Sequence, residues 1–179
     1  AAQAVERRYE TLTQWDQLER WIGVLKAAPL FSLDTLTTHS DYMKGEIVGI
    51  AFATEPGVAA YVPLGHDYAG APAQLERARV LDALKPVLED PERAKAGHNL
   101  KYAAHVLLTY GIRLAGMRHD TMLESYVLNS VATKHELGTM SERYLGVRTL
   151  RLEDIAGKGA RQLAFNQVPA ERAAEYSAE

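Results

Sequence analysis

Asp34 sits in an otherwise largely apolar run, LFSLDTLTT, and is the first residue whose type and place suggest chemistry. A carboxylate near the end of a strand lies where open α/β sheets bind ligands. Its hard oxygen atoms suit Mg2+ or Mn2+. Asp is also a common turn former and helix cap, so Asp34 alone leaves both readings open. A second group is Gly97-His98-Asn99-Leu100-Lys101-Tyr102-Ala103. Here Asn99 opens a helical pattern that its side chain can cap, and Tyr102 follows three residues later on a nearby face. An amide and a phenol so placed can also contact a sugar–phosphate chain. Tyr176, in AAEYSAE, is either a packing residue or a phenol able to orient an attacking water.

Spacing argues against several other chemistries. The histidines are His39, His66, His98, His105, His119 and His135. None pairs with another at i, i+4 and no HExxH occurs, which disfavours a histidine metal centre. Gly157-Lys158-Gly159 lacks the spacing of a Walker loop and leaves only a basic turn able to touch a phosphate. No GxSxG is present. The absence of cysteine removes disulfides, thiolate zinc sites and a thiol nucleophile, and fits a reducing compartment.

These residues must be positioned by an ordinary globular domain. Hydrophobic residues form 47% and charged residues 24% of the 179, enough for a core without staples and against disorder of the whole chain. Periodicity predicts a helix over Gln14–Lys26, capped by Thr13 and followed by Pro29. Three strands are then expected at Leu30–Leu36, Glu46–Thr54 and Val58–Leu64. The last two are separated by the turn residues Glu55-Pro56-Gly57, and the three together read as an antiparallel meander. Helices are expected at Ala73–Glu89, with Pro86 inside, and at Leu100–Tyr110, stopped by Gly111. Thr121–Val131 follows behind Asp120 as N-cap. Shorter helices are expected at Gly138–Leu145 and Leu152–Ala156, with a last one from Pro169 to Glu179. A short strand near Arg93–Gly97 leads into Asn99. This alternation indicates a layered α/β or α+β domain.

The formal net charge is −3, which disfavours nucleic-acid binding driven by a global positive field. It leaves room for a metal-dependent nuclease, whose cations supply the positive charge. No apolar run is long enough to span a bilayer and no signal peptide is visible, so no membrane partner is expected. The sequence opens on Ala rather than Met, which suggests a fragment, a processed chain or a segment cut for expression.

Several stretches together resemble a known family: EPGVAAYVPLGHDY (Glu55 to Tyr68), HNLKY (His98 to Tyr102), DTMLESYVLNSV (Asp120 to Val131), LEDIAGKG (Leu152 to Gly159) and AFNQV (Ala164 to Val168). Nearly the whole chain resembles the 3′–5′ proofreading exonuclease domain of bacterial DNA polymerase I, the Klenow-type family A enzymes. The resemblance implies a ribonuclease H-like fold, a mixed five-stranded sheet flanked by helices, over residues 1–179, with a polymerase domain following in the same parent chain. It implies a single-stranded DNA 3′ end as substrate and a cytoplasmic, nucleoid-associated setting. It also implies two-metal chemistry on four carboxylates holding Mg2+ or Mn2+. A ribonuclease D-like RNA-trimming enzyme shares the motifs, but the long matching stretches favour the polymerase family.

Set on the family pattern Asp-x-Glu, Asn-x-x-x-Asp and Tyr-x-x-x-Asp, the carboxylates are largely gone. Asp34 matches the first Asp, but Leu36 stands at the Glu position. Asn99 matches, but Ala103 stands at the second Asp. Tyr176 matches, and its Asp partner would be residue 180, one beyond the last residue given. Leu and Ala cannot coordinate a hard cation, so weak or absent metal binding and little or no activity are expected. The resemblance places Thr35, Asn99 and Tyr102 around the 3′-terminal nucleotide. Leu152 corresponds to an apolar wedge against the terminal bases, and the partner wedge falls on Ser40.

Overall fold

The computed structural model describes residues 6–131 and 134–179. In chain order the elements begin with β1 (Arg8–Thr11), α1 (Trp15–Ala27), β2 (Leu30–Thr37), β3 (Ile47–Glu55), β4 (Val58–Pro63), α2 (Arg77–Leu88) and β5 (Ala94–Gly97). Then come α3 (Leu100–Thr109), β6 (Met117–Asp120), α4 (Thr121–Leu128), α5 (Leu137–Met140), a π-helical turn (Ser141–Leu145), α6 (Leu152–Ala156), two 3-10 turns and α7 (Ala170–Ala178). One mixed sheet has the order β1-β4-β3-β2-β5-β6. The expected meander is there: β2 pairs antiparallel with β3, and β3 with β4. The outer pairings, β1 with β4, β2 with β5 and β5 with β6, are parallel.

The sheet holds six strands rather than the five expected. The two edge strands, RYET and MRHD, are four residues each and largely polar, too short to show the alternation that announces a strand. Helix α1 begins after Gln14 rather than on a Thr13 cap, because Gln17 Oε1 reaches back to accept the Thr13 and Gln14 N–H groups at 3.0 and 3.1 Å. Helix α2 begins four residues later than Ala73. The Gln74 side chain pairs with both the N–H and the C=O of His66 and holds that stretch out of the helix. Pro86 falls in the last turn and the helix runs on to Leu88. Helix α4 stops at Leu128 rather than Val131.

Strand alternation divides the core between the two sheet faces. On one face Phe31, Leu33, Ile50 and Phe52 pack against Leu18, Trp21 and Leu25 of α1, with Leu84 and Leu107 of α2 and α3 in the same cluster. On the other, Leu36, Ala51 and Tyr61 pack against Phe165, Val168, Ala173 and Ala174. Each fully buried large apolar side chain contributes about 1.5–3 kcal/mol. The second cluster is smaller, and it carries Asp34 among its strand neighbours.

Two buried polar groups shape this frame. The Tyr61 ring lies across Gly49, where a Cβ would collide with the phenol ring and its hydroxyl. The Tyr61 hydroxyl is 2.8 Å from His66 Nε2. Lys95, fully buried in β5, donates to the carbonyls of Asp90 and Arg93 at 3.0 and 2.9 Å. Burial pulls its pKa down to about 8.

Gly49→Ala is expected to cost about 1–3 kcal/mol in urea unfolding, because the Tyr61 ring must leave its seat; an unchanged midpoint would contradict that packing. Lys95 yields a pH signature. Between about 8 and the ordinary lysine value of 10.5 the unfolded chain binds the extra proton, so stability rises with pH in that window. Urea melts of the parent against Lys95→Met should show the parent gaining on the variant from pH 8 to pH 10, and a flat difference would refute it.

Candidate functional site

Strand β2 brings Asp34 to the middle of the sheet, not to the end of a strand. The strand continues through Thr37 and lies between β3 and β5. Asp34 faces Ala51 in β3, and Ala51 faces Tyr61 in β4, so the three form one row across the sheet. The residue as a whole is exposed, while neighbouring protein crowds its carboxyl. That burial holds the carboxyl above its ordinary range, partly offset by the Thr35 N–H, which donates to Oδ1 at 2.8 Å. Burial, and secondarily the Asp34 charge, also raises the pKa of Tyr61 and of Tyr176. Both phenols therefore stay protonated beside the carboxylate. Tyr176, on α7, packs its ring 6.1 Å from that of Phe165.

Leu36 lies on the Asp34 face, two residues along the strand. It is almost buried in the cluster of Phe165, Ala173 and Ala174, and forms an apolar wall on that face. Thr35 alternates to the opposite face, where its side chain is buried and its Oγ1 has no hydrogen-bond partner among the described residues.

Helix α3 carries the second group. Asn99 does not cap it through its side chain, contrary to the sequence expectation. Its backbone is left-handed, φ 61°, the sole positive φ outside glycine among the described residues. A non-glycine residue held there costs on the order of 1 kcal/mol or more and needs its surroundings to hold it. The carboxylate that caps α3 comes from Asp120, at the end of β6. Asp120 Oδ2 accepts the Leu100 N–H at 2.8 Å and Oδ1 the Asn99 N–H at 3.1 Å. The same Oδ1 accepts the Met122 and Leu123 N–H groups of α4, as its predicted N-cap role requires. Gly97 permits this approach, because a Cβ there would meet the Leu33 carbonyl at 2.9 Å and crowd Leu100.

One turn into α3, the Tyr102 hydroxyl is 2.5 Å from Thr37 Oγ1, and both hydroxyls reach the His39 carbonyl, at 2.7 and 2.9 Å. Tyr102 thus ties α3 to the segment after β2, and Tyr42 packs edge-on against His105 in the same seam, 4.5 Å between centroids. Ala103, buried on the same helix, offers only a methyl group. Leu152 and Ser40 are exposed, and Leu152 is the first residue of α6. Lys158, in the basic turn, pairs with Glu153 at 3.0 Å.

The donor set does not fit a pair of divalent cations. Among the described residues no three His, Asp or Glu side chains converge, and Leu36 on the Asp34 strand face and Ala103 on α3 present hydrocarbon. Two hollows of the described surface lie elsewhere. One of about 380 Å³ is at the far end of β2, and one of about 810 Å³ is a groove between α3 and α4 floored by Leu100, Ala104, Met117 and Leu123. Asp34 lines neither.

The pairing of Tyr61 with His66 went unnoticed in the sequence because the Tyr61 ring is seated over Gly49 of the neighbouring strand. Asp120 was visible as a cap for α4 but not for α3, which lies 20 residues upstream.

Comparison with known proteins gives a consistent assignment. A family model described as 3′–5′ exonuclease matches residues 9–179. DNA polymerase I of Pseudomonas aeruginosa is 47% identical over 96% of this chain, and that of Rhizobium leguminosarum 36% over 96%. The chain spans about a fifth of the length of these relatives, 19% and 18%. Among solved structures, Trypanosoma brucei RNase D superposes with a TM-score of 0.70 at 14% identity, covering 95% of this chain and 60% of its own. Escherichia coli RNase D does so with 0.64 at 21%, covering 95% and 41%. Both confirm the expected ribonuclease H-like fold. No helix among the described residues is long and apolar enough to cross a membrane.

Asp34→Asn tests the electrostatics of the site. A carboxyl whose folded pKa is raised loses stability as pH climbs from the ordinary value of about 3.9 through the folded one. The variant keeps an oxygen for the Thr35 N–H and should unfold at higher urea than the parent at pH 7, with the gap closing near pH 3. A parent more stable than the variant at pH 7 would contradict the assignment.

Proposed function

The chain belongs to the 3′–5′ exonuclease domain family of DNA polymerase A enzymes, and from that premise we propose that it is a degenerate member, one that receives single-stranded DNA 3′ ends without cutting them. One observation carries the reading: Asp34 stands with Leu36 beside it on the same strand face and Ala103 on α3. A metal-dependent exonuclease needs clustered carboxylates to hold its cations, and two of those positions here are hydrocarbon. Mg2+ or Mn2+ binding is accordingly weak or absent, and no catalytic step is assigned to a metal.

The groups that contact nucleic acid in this reading carry no charge. Asn99 presents its side chain from a fixed left-handed turn, Tyr102 stands one turn further on, Leu152 offers an exposed apolar surface to a terminal base, and the Tyr176 phenol remains a proton donor beside Asp34. Thr35 acts through its amide, which orients Asp34. In the longer polypeptide implied by the relatives, the domain packs beside a polymerase domain and serves as a scaffold and a resting place for frayed ends.

The test uses a labelled single-stranded oligonucleotide with Mg2+ or Mn2+. The chain as given is expected to bind it and leave it intact at high protein concentration. Leu36→Glu with Ala103→Asp, in a chain carrying Asp after Glu179, is expected to trim it from the 3′ end. Trimming by the unaltered chain would establish an active exonuclease instead. A restored chain that stays inert would show that carboxylate loss is not the cause.

A further inference from the structure

We infer that Asp120 is a positioning residue for the nucleotide-contacting face of α3: one carboxylate clamps the first turns of two helices and thereby fixes Asn99. The inference rests on the proposal that Asn99 and Tyr102 meet the DNA end. Four backbone N–H groups converge on the Asp120 side chain, two from the start of α3 (Asn99 and Leu100) and two from the start of α4 (Met122 and Leu123), at 2.8 to 3.3 Å. A helix leaves its first N–H groups unpaired, and a cap ordinarily satisfies those of its own helix. Here the two oxygens divide the work. Oδ2 serves α3 alone, and Oδ1 serves Asn99 together with α4.

The clamp also accounts for Asn99. Its left-handed backbone is unfavourable for a residue with a Cβ, and its own side chain contributes no cap. The Asn99 and Leu100 N–H groups are both held by the carboxylate, which anchors the turn on either side of the Asn99 Cα. His98 closes the same corner from β5. Its Nδ1 lies 3.0 Å from Thr121 Oγ1, and that hydroxyl donates to the Gly97 carbonyl at 3.3 Å. The end of β5 and the start of α4 are thus joined at two points, and the direction of the Asn99 side chain follows from that junction.

The chemistry of the clamp supplies a selective variant. Asp120→Asn keeps one acceptor oxygen, and Asn is a good N-cap for α4. Its oxygen is best kept at the Oδ1 position, where three of the four N–H groups converge, so the NH2 faces the Leu100 N–H and that hold on α3 is lost while the Asn99 bond and the α4 cap survive. Asp120→Ala removes both. The readouts are amide hydrogen exchange at Leu100, Met122 and Leu123, and fluorescence anisotropy with a single-stranded oligonucleotide bearing a free 3′ hydroxyl. In Asp120→Asn, Leu100 exchange should accelerate about tenfold or more while Met122 and Leu123 stay protected, and oligonucleotide affinity should drop several-fold. Unchanged Leu100 protection, or loosened Leu100 with unchanged affinity, overturns the positioning role. If the parent chain binds no oligonucleotide, the functional proposal fails on its own, and with it the positioning role, while the exchange data still decide whether the clamp exists.

Discussion

Two divalent cations held about 4 Å apart, as two-metal nucleases require, repel each other by an energy on the order of 15 kcal/mol even at an effective dielectric constant of about 20. Clustered carboxylates make such a site tolerable by neutralising it. Two dications set against the Asp34 charge alone would carry a net +3, and Leu36 and Ala103 add no negative charge to offset it. In the reading proposed above, that imbalance separates what the domain shares with its family pattern from what it lacks. The residues that maintain the frame are not the residues that hold the metals, so the frame survives without them.

The frame is held by groups with no metal partner to lose. The Asp120 carboxylate answers backbone N–H groups, the Tyr61 phenol answers His66, and Lys95 answers two carbonyls. Leu36 even adds to the second core, since it packs with Phe165 and α7. A Glu in its place would bring a charge to that wall. An apolar residue at position 36 is therefore compatible with a stable fold.

The features legible in the sequence were local ones. The β-branched run of β3, the Glu55-Pro56-Gly57 turn and the apolar stripe of α3 each carry their signal within a few residues. The absence of carboxylates at 36 and 103 was legible too, once the spacing from Asp34 and Asn99 was set against the family pattern. The rest depended on partners distant in sequence. Asn99 reads as a cap because of its type, yet its acceptor is Asp120, 21 residues on. Thr35 reads as a neighbour of the site, but strand alternation turns its side chain to the other face. Strand β1 carries too little pattern in four residues, and it pairs with β4, some 50 residues later.

Manganese titration followed by electron paramagnetic resonance bears most directly on the loss of the metal site, because it counts bound ions without requiring turnover. The account predicts at most one weakly held Mn2+ per chain, with no spin coupling between ions and loss of that binding in Asp34→Asn. Two tightly bound, spin-coupled ions in the unaltered chain would contradict it.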